Sequence, residues 1–323
     1  MYKFAIKAVP FALVAAFAAG NASADELVVK IGHVAPLSGG QAHYGKDNEN
    51  GAKLAIADLN KSGIKIGGKT VKWVLVSEDD AADPKQGTAV AQKLVDEKVN
   101  GVVGHLNSGT TIPASKIYFD AGIPQITPSA TNPKYAQQGF KTAFRIIAND
   151  NALGAATANY AVKTLKAKKV AVIDDRTAYG QGVADEFEKG VKAAGGGTVA
   201  RQFTNDKATD FTAILTRIKG AAPDLLFFGG MDTQGAPLAR QLKALGCDFI
   251  DASSGGNAAA QKIPVGPGYQ VEFSHRIRKE VGIKTWTVGI ITEPQQAERI
   301  IAAGEADVGL SMGAGTGSAF ARL

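Results

Sequence analysis

Two short stretches carry the residue types that a small polar ligand needs. Gly104-His105-Leu106-Asn107-Ser108-Gly109-Thr110-Thr111 follows an apolar run at Val102–Val103 and opens a helix. The amides of a helix start, with the Ser108 and Thr110 hydroxyls, form a cradle for a carboxylate. An ordinary N-cap has the same composition. Ile126-Thr127-Pro128-Ser129-Ala130-Thr131-Asn132-Pro133 sets small hydroxyl residues between two prolines. Such a loop can offer carbonyls to an ammonium and a hydroxyl to a carboxylate; it is equally a turn-rich connection. Tyr44 and Tyr179 also follow strand ends, and each is either a cleft wall or a half-exposed surface ring. A third stretch, Gly63-Ile64-Lys65-Ile66-Gly67-Gly68-Lys69-Thr70, matches the phosphate-loop pattern letter for letter. That loop needs a strand before it and a helix after it. Here the order is reversed, so it reads as a glycine-rich connection from helix to strand.

The elements that must hold these residues alternate along the chain. Strand patterns at Leu27–Ala35, Val71–Val76, Gly101–Val103, Pro124–Thr127 and Phe144–Ile147 are separated by helical spacing at Asn48–Asn60, Gln86–Asp96 and Ile112–Asp120. Gly63 reads as a helix C-cap. Ala148–Asn151 is polar and reads as a loop. A second alternation follows, with strands at Val170–Asp174, Thr198–Phe203 and Asp224–Phe228. Its helices read as Ala152–Leu165, Val183–Ala194, Phe211–Ile218 and Gln234–Leu245. Such alternation predicts two doubly wound α/β lobes with parallel sheets, residues 25–147 and 148–246. The cleft at the carboxyl ends of their strands is the expected site.

Composition narrows the function classes. The formal net charge is +6, or about +4 once a leader carrying Lys3 and Lys7 is removed. The basic residues are scattered and not interleaved with aromatics, which argues against a nucleic-acid partner. Residues 1–24 read as a secretory signal: a basic start, an apolar run at Ala8–Ala19, and Ala22-Ser23-Ala24 before the cut. The expected location is therefore the periplasm. Cys247 is the single cysteine, so no internal disulfide forms, and it reads as buried and inert.

Val34-Ala35-Pro36-Leu37-Ser38-Gly39, Tyr44-Gly45, Asp79-Asp80-Ala81-Ala82-Asp83-Pro84, Gly104-His105-Leu106 and Ile126-Thr127-Pro128 occur in this order. Together they resemble the periplasmic leucine/isoleucine/valine-binding proteins of ABC importers, from the signal to about Gly246. The resemblance implies a class I periplasmic-binding-protein fold that closes on a free amino acid and delivers it to an inner-membrane ABC permease. It implies a monomer, no enzymatic activity, no cofactor and no metal. Carried over by position, Tyr44, Leu106, Asn107, Ser108, Ser129, Ala130 and Thr131 line the first lobe, and Tyr179 and Met231 approach from the second. The family also places an acid about twenty-five residues after the Met231 position, for the ligand's ammonium. Only Asp251 lies near that position. The family's return of the chain to the first lobe has no counterpart here.

The sequence changes character near Leu238–Gly246. From Cys247, Phe249-Ile250-Asp251-Ala252-Ser253-Ser254-Gly255-Gly256-Asn257, Gly266-Pro267-Gly268-Tyr269, Arg276-Ile277-Arg278 and Val288-Gly289-Ile290-Ile291-Thr292 resemble the closing part of Old Yellow Enzyme-type flavin oxidoreductases. A full β/α barrel takes about 250 residues. Residues 247–323 hold two or so β/α units, a partial barrel-like tail on an incomplete second lobe. The competing functional readings are an FMN-dependent NAD(P)H oxidoreductase fragment, with Ser254 and Gly289 near the flavin phosphate, and a fusion without function.

Overall fold

The computed structural model describes residues 26–247, 249–252, 268, 271–287, 291, 293–313 and 316–321. The signal segment, Ser254 and Gly289 lie outside the described residues.

A largely apolar run sets β1 at Leu27–Ala35, as the sequence predicts, and its last four residues are buried. Helix α1 runs Ala42–Ser62 and stops at Gly63, which takes the left-handed conformation (φ 63°). The phosphate-loop lookalike is a β-hairpin. β2 (Lys65–Ile66) pairs antiparallel with the start of β3 (Lys69–Asp79) around Gly67-Gly68, both at positive φ. Helix α2 (Pro84–Asp96) starts on Asp83, whose carboxylate accepts from the Lys85 and Gln86 amides at 2.9 Å, with Pro84 at the first position. Then follow β4 (Gly101–Gly104), α3 (Ser108–Asp120), β5 (Gln125–Thr127), the short α4 (Lys134–Gln137) and β6 (Ala143–Arg145). The sheet order is β2-β3-β1-β4-β5-β6, parallel apart from the hairpin. Val34 and Val102 pack with Val90, Ala91 and Leu94 of α2 and Ala114 and Tyr118 of α3.

Helix α5 (Asp150–Asn159) begins inside the stretch read as a loop, because the Asn149 side chain caps it at the Ala152 amide. It widens into a π-helical turn over Tyr160–Thr164, where continuous α-helix was expected. β7 (Lys169–Asp174), α6 (Ala178–Ala194), β8 (Gly197–Phe203), α7 (Thr212–Gly220), β9 (Leu225–Gly229) and α8 (Asp232–Ala244) complete a three-stranded parallel sheet ordered β8-β7-β9. Central strand β7 is apolar on both faces, as a doubly covered strand must be. Val170 and Val172 meet Ala158, Phe187 and Val191; Ala171 and Ile173 meet Phe211, Leu215, Ile218 and Leu238.

The rest forms a separate sheet. β10 (Phe249–Ala252), α9 (Val271–Val281), β11 (Lys284–Thr287), α10 (Pro294–Ala302), β12 (Val308–Gly313) and β13 (Thr316–Ala321) give the order β10-β11-β12-β13, with only the β12–β13 pair antiparallel. It is pinned to α8 by Lys243 Nζ donating to the Val281 carbonyl at 2.7 Å. Cys247 is half-buried rather than buried: it sits one residue past the turn that ends α8, its amide bonded to the Leu242 carbonyl. Among the described residues, no helix is long and apolar enough to cross a membrane.

Candidate ligand-binding cleft

Helices α1, α3, α6 and α8 all begin two to six residues before their apolar periodicity does. Their first turns, Ala42–Gly45, Ser108–Thr111, Ala178–Gln181 and Asp232–Gly235, are made of small, polar and aromatic residues and carry no apolar stripe. Close approach there requires glycine: a Cβ on Gly180 would overlap the Asp175 carboxylate and the Gly229 carbonyl.

The loop from β4 to α3 is fixed by a buried network. His105 Nδ1 is 3.0 Å from Asp80 Oδ2 and Nε2 is 3.1 Å from Tyr118 Oη, with all three side chains buried. The His105 carbonyl accepts from Thr111 Oγ1 at 3.1 Å and Thr127 Oγ1 at 2.8 Å, which ties this loop to the one after β5. Thr127 Oγ1 in turn accepts from the Ala130 amide at 2.9 Å. Beside it, Asp79 Oδ1 accepts from the Leu37 amide at 2.8 Å and holds the turn that leads into α1. The Asp79-Asp80 pair is thus a framework for the site walls.

On this framework the expected residues divide. Leu106 and Ala130 are buried apolar wall. Ser108 is buried, and its hydroxyl accepts from the Asn132 amide at 3.2 Å, leaving its own proton free to donate. Thr131 Oγ1 is buried and faces the Asp150 carboxylate. Ser129 accepts from Asn48 Nδ2 at 2.8 Å and Asn107 donates to Gln41 Oε1 at 2.7 Å, so both brace α1. Thr110, expected in the carboxylate cradle, instead donates to the Asn107 carbonyl at 3.1 Å and is fully buried. In a helical first turn a threonine hydroxyl reaches back to the preceding carbonyls, and that bond removes it from the site. Met231 heads α8, half-buried.

The lobes meet directly. Asn132 Nδ2 donates to the Ala178 carbonyl at 2.6 Å. His43 Nε2 lies 3.1 Å from Asp232 Oδ2, and Tyr44 hydrogen-bonds the same carboxylate. Burial first, then Asp232, pushes the Tyr44 phenol up to about 12. Tyr179 is pushed up to about 12 by burial and by the Asp150 and Asp175 carboxylates. The two tyrosines lie near enough to interact electrostatically, so Tyr44 of the first lobe and Tyr179 of the second share one junction.

Sequence reasoning missed the acids. Asp150 is fully buried, and the Thr131 hydroxyl faces its carboxylate. Burial pushes it up to about 6, with the Thr131 hydroxyl and the Arg145 guanidinium pulling partly the other way. Asp175 is raised by burial; its Oδ1 accepts from the Thr177 amide at 2.9 Å and hydroxyl at 2.6 Å, while Oδ2 has no partner among the described residues. Asp232 was legible only as the neighbour of Met231. The arrangement offers hydroxyl donors, an apolar wall, two aromatic rings and an excess of carboxylates, the complement of a small zwitterion with an apolar side chain.

Residues 28–269 match the family described as periplasmic binding protein, a region that runs past Gly246. An amino acid binding protein of Pseudomonas aeruginosa is 41% identical over 68% of this chain and 58% of its own length. A Leu/Ile/Val-binding protein homolog of Brucella abortus is 39% identical over 74% of this chain and 64% of its own length. The chain therefore spans about three fifths of the length of these relatives. The crystal structure of a branched-chain amino acid transporter substrate binding protein from Streptococcus pneumoniae, in complex with isoleucine, superposes with a TM-score of 0.63. It is 25% identical, over 85% of this chain and 77% of that one. By the family match and the fold together, this chain belongs to the periplasmic binding protein family.

Proposed function

We propose that the chain is the extracytoplasmic substrate-binding component of an ABC importer, taking leucine, isoleucine or valine into the junction between its lobes. One observation carries the reading: Tyr44 and Tyr179, from opposite lobes, lie close enough to interact electrostatically, Tyr44 beside Asp232 and Tyr179 beside Asp150 and Asp175. The relatives named for Leu/Ile/Val binding support the ligand class. In this reading Ser108 and Thr131 serve the ligand carboxylate, Leu106 and Ala130 its side chain, and Tyr44, Tyr179 and Met231 close over it. The protein works as a monomer that is not an enzyme and binds no nucleic acid. It is exported by residues 1–24 with cleavage after Ala24, and it hands its ligand to an inner-membrane permease. Calorimetry on the purified mature chain tests it: saturable heat with leucine is expected, and no response at millimolar leucine refutes it.

For the tail we propose a separate ancestry, related to flavin oxidoreductases. The order β10-α9-β11-α10-β12, with parallel strands, is two consecutive βα units, an order that a β/α barrel and a doubly wound lobe share. No flavin chemistry is assigned to it, and purified protein should be colourless. A yellow protein reduced by NAD(P)H would favour the oxidoreductase reading instead.

A further inference from the structure

We propose that His33 is an acid-sensitive seat for helix α1: a proton on its buried Nε2 unseats the helix and frees the loops that the helix braces. A Cβ on Gly32 would meet Leu94 of α2, so the next residue of β1, His33, points to the opposite face of the sheet. On that face Glu49 of α1 acts on the ring. The imidazole is fully buried, with Nδ1 3.1 Å from the Val103 carbonyl. A carbonyl only accepts, so Nδ1 carries the proton and Nε2 is the basic atom. Nε2 is buried with no hydrogen-bond partner among the described residues.

The charged and titratable neighbours of the ring are already engaged. Glu49 pairs with Lys53 at 2.8 Å and meets the Ser77 hydroxyl of β3. Asp80, after β3, spends Oδ1 on the Ala82 amide at 3.0 Å and Oδ2 on His105. His105, after β4, spends its two ring nitrogens on Asp80 and Tyr118. A protonated His33 is thus an uncompensated buried charge, relieved when α1 lifts and admits water. The helix is lightly seated: within Ala42–Ser62 only Gly45 is buried. Asn48 ties it to Ser129, Asn60 ties it to Trp73, and Gln41, just before it, holds Asn107. Lifting α1 therefore releases Ser129 and Asn107 in the two site loops, and on the amino-acid reading above it loosens the ligand in acid. Burial holds the His33 imidazole below its ordinary 6.5, with the Val103 carbonyl and Glu49 pulling partly the other way. The seated helix is fully stable above pH 6.5 and loses stability as pH falls below it, because the unseated form takes the proton first.

Hydrogen exchange read by mass spectrometry on the ligand-free mature chain tests this, comparing α1 at about pH 7 and about pH 5.5 after correction for intrinsic exchange. In wild type the opening constant of α1 should rise about fivefold over that interval. His33→Asn keeps a donor for the Val103 carbonyl and takes no proton, so its α1 should change by less than about twofold. Burial shifts Asp150 and Asp175 in the opposite sense, and both are common to the two proteins, so the difference between them isolates His33. Equal pH responses in the two proteins overturn the inference, as does a wild-type loss spread evenly over the chain. If His33→Asn gives no cooperative melt, Glu49→Gln decides. Removing the α1 carboxylate that favours the protonated ring should steepen the acid loss, and an unchanged or shallower loss overturns the inference. No ligand is present, so failure here leaves the amino-acid reading untouched.

Discussion

Replacing Gly182 with alanine sets two effects of opposite sign against each other. Gly182 lies inside α6, where alanine is the better helix former by about 0.5–1 kcal/mol. Its missing side chain, however, points at the other lobe. A Cβ there would overlap Asn132 Nδ2 and stand 3.2 Å from Asn132 Cγ and 3.3 Å from Asp150 Oδ2. The Asn132 amide must then give up its bond to the Ala178 carbonyl, worth about 1 kcal/mol. Because the bond spans the junction, its loss weighs on closure and not on the folding of either lobe, which makes the closed form about five- to tenfold less favoured. The expected outcome is a melting temperature equal to or above wild type, a larger radius of gyration by small-angle scattering, and leucine affinity about tenfold weaker, seen mainly as faster release. A variant with unchanged scattering and unchanged affinity would refute the claim that helix α6 and the Asn132 loop form the closing contact. A large fall in melting temperature would show that the clash is absorbed within the second lobe instead.

Three further outcomes follow from the same packing. Gly51→Ala in α1 and Gly235→Ala in α8 fill open space within helices, so each should raise unfolding free energy by about 0.5–1 kcal/mol in urea titrations. Phe187→Ala removes a fully buried ring stacked on Phe227, with centroids 4.0 Å apart and planes 9° apart, and should cost about 3–5 kcal/mol by denaturant unfolding. Asp150 has a folded-state pKa raised from 3.8 to about 6 by burial, so its contribution favours the folded state at low pH and is lost as pH rises through that window. Asp150→Asn should therefore be more stable than ligand-free wild type at pH 8, by about 1–2 kcal/mol, and the gap should close toward pH 4; a gap that widens in acid contradicts the assigned shift.

Much of the fold was legible because burial imposes a period. β1 came out with its predicted ends, and β7 stood out as a central strand through four consecutive apolar residues at Val170–Ile173. The Gly63–Thr70 pattern was read as a connection from helix to strand from element order alone, and the structure agrees, although the two-residue strand of its hairpin was not foreseen. The errors concentrated at helix starts. Ser108, Tyr179 and Asp150 belong to first turns rich in small and polar residues, so they carry no apolar stripe to announce a helix.

The sequence by itself determined the alternation of strands and helices and the order of the motifs that mark the family. Those follow from local periodicity, turn chemistry and motif order. Only the tertiary structure decided which of those residues face the junction. Thr110 turned back onto its own helix, Ser129 and Asn107 went to bracing α1, and Asp150, in a stretch read as a polar loop, became a fully buried carboxylate at the lobe junction. The physical reason is that a side chain's availability depends on what long-range packing leaves unsatisfied around it. Residue type and spacing do not encode that balance; the meeting of two lobes does.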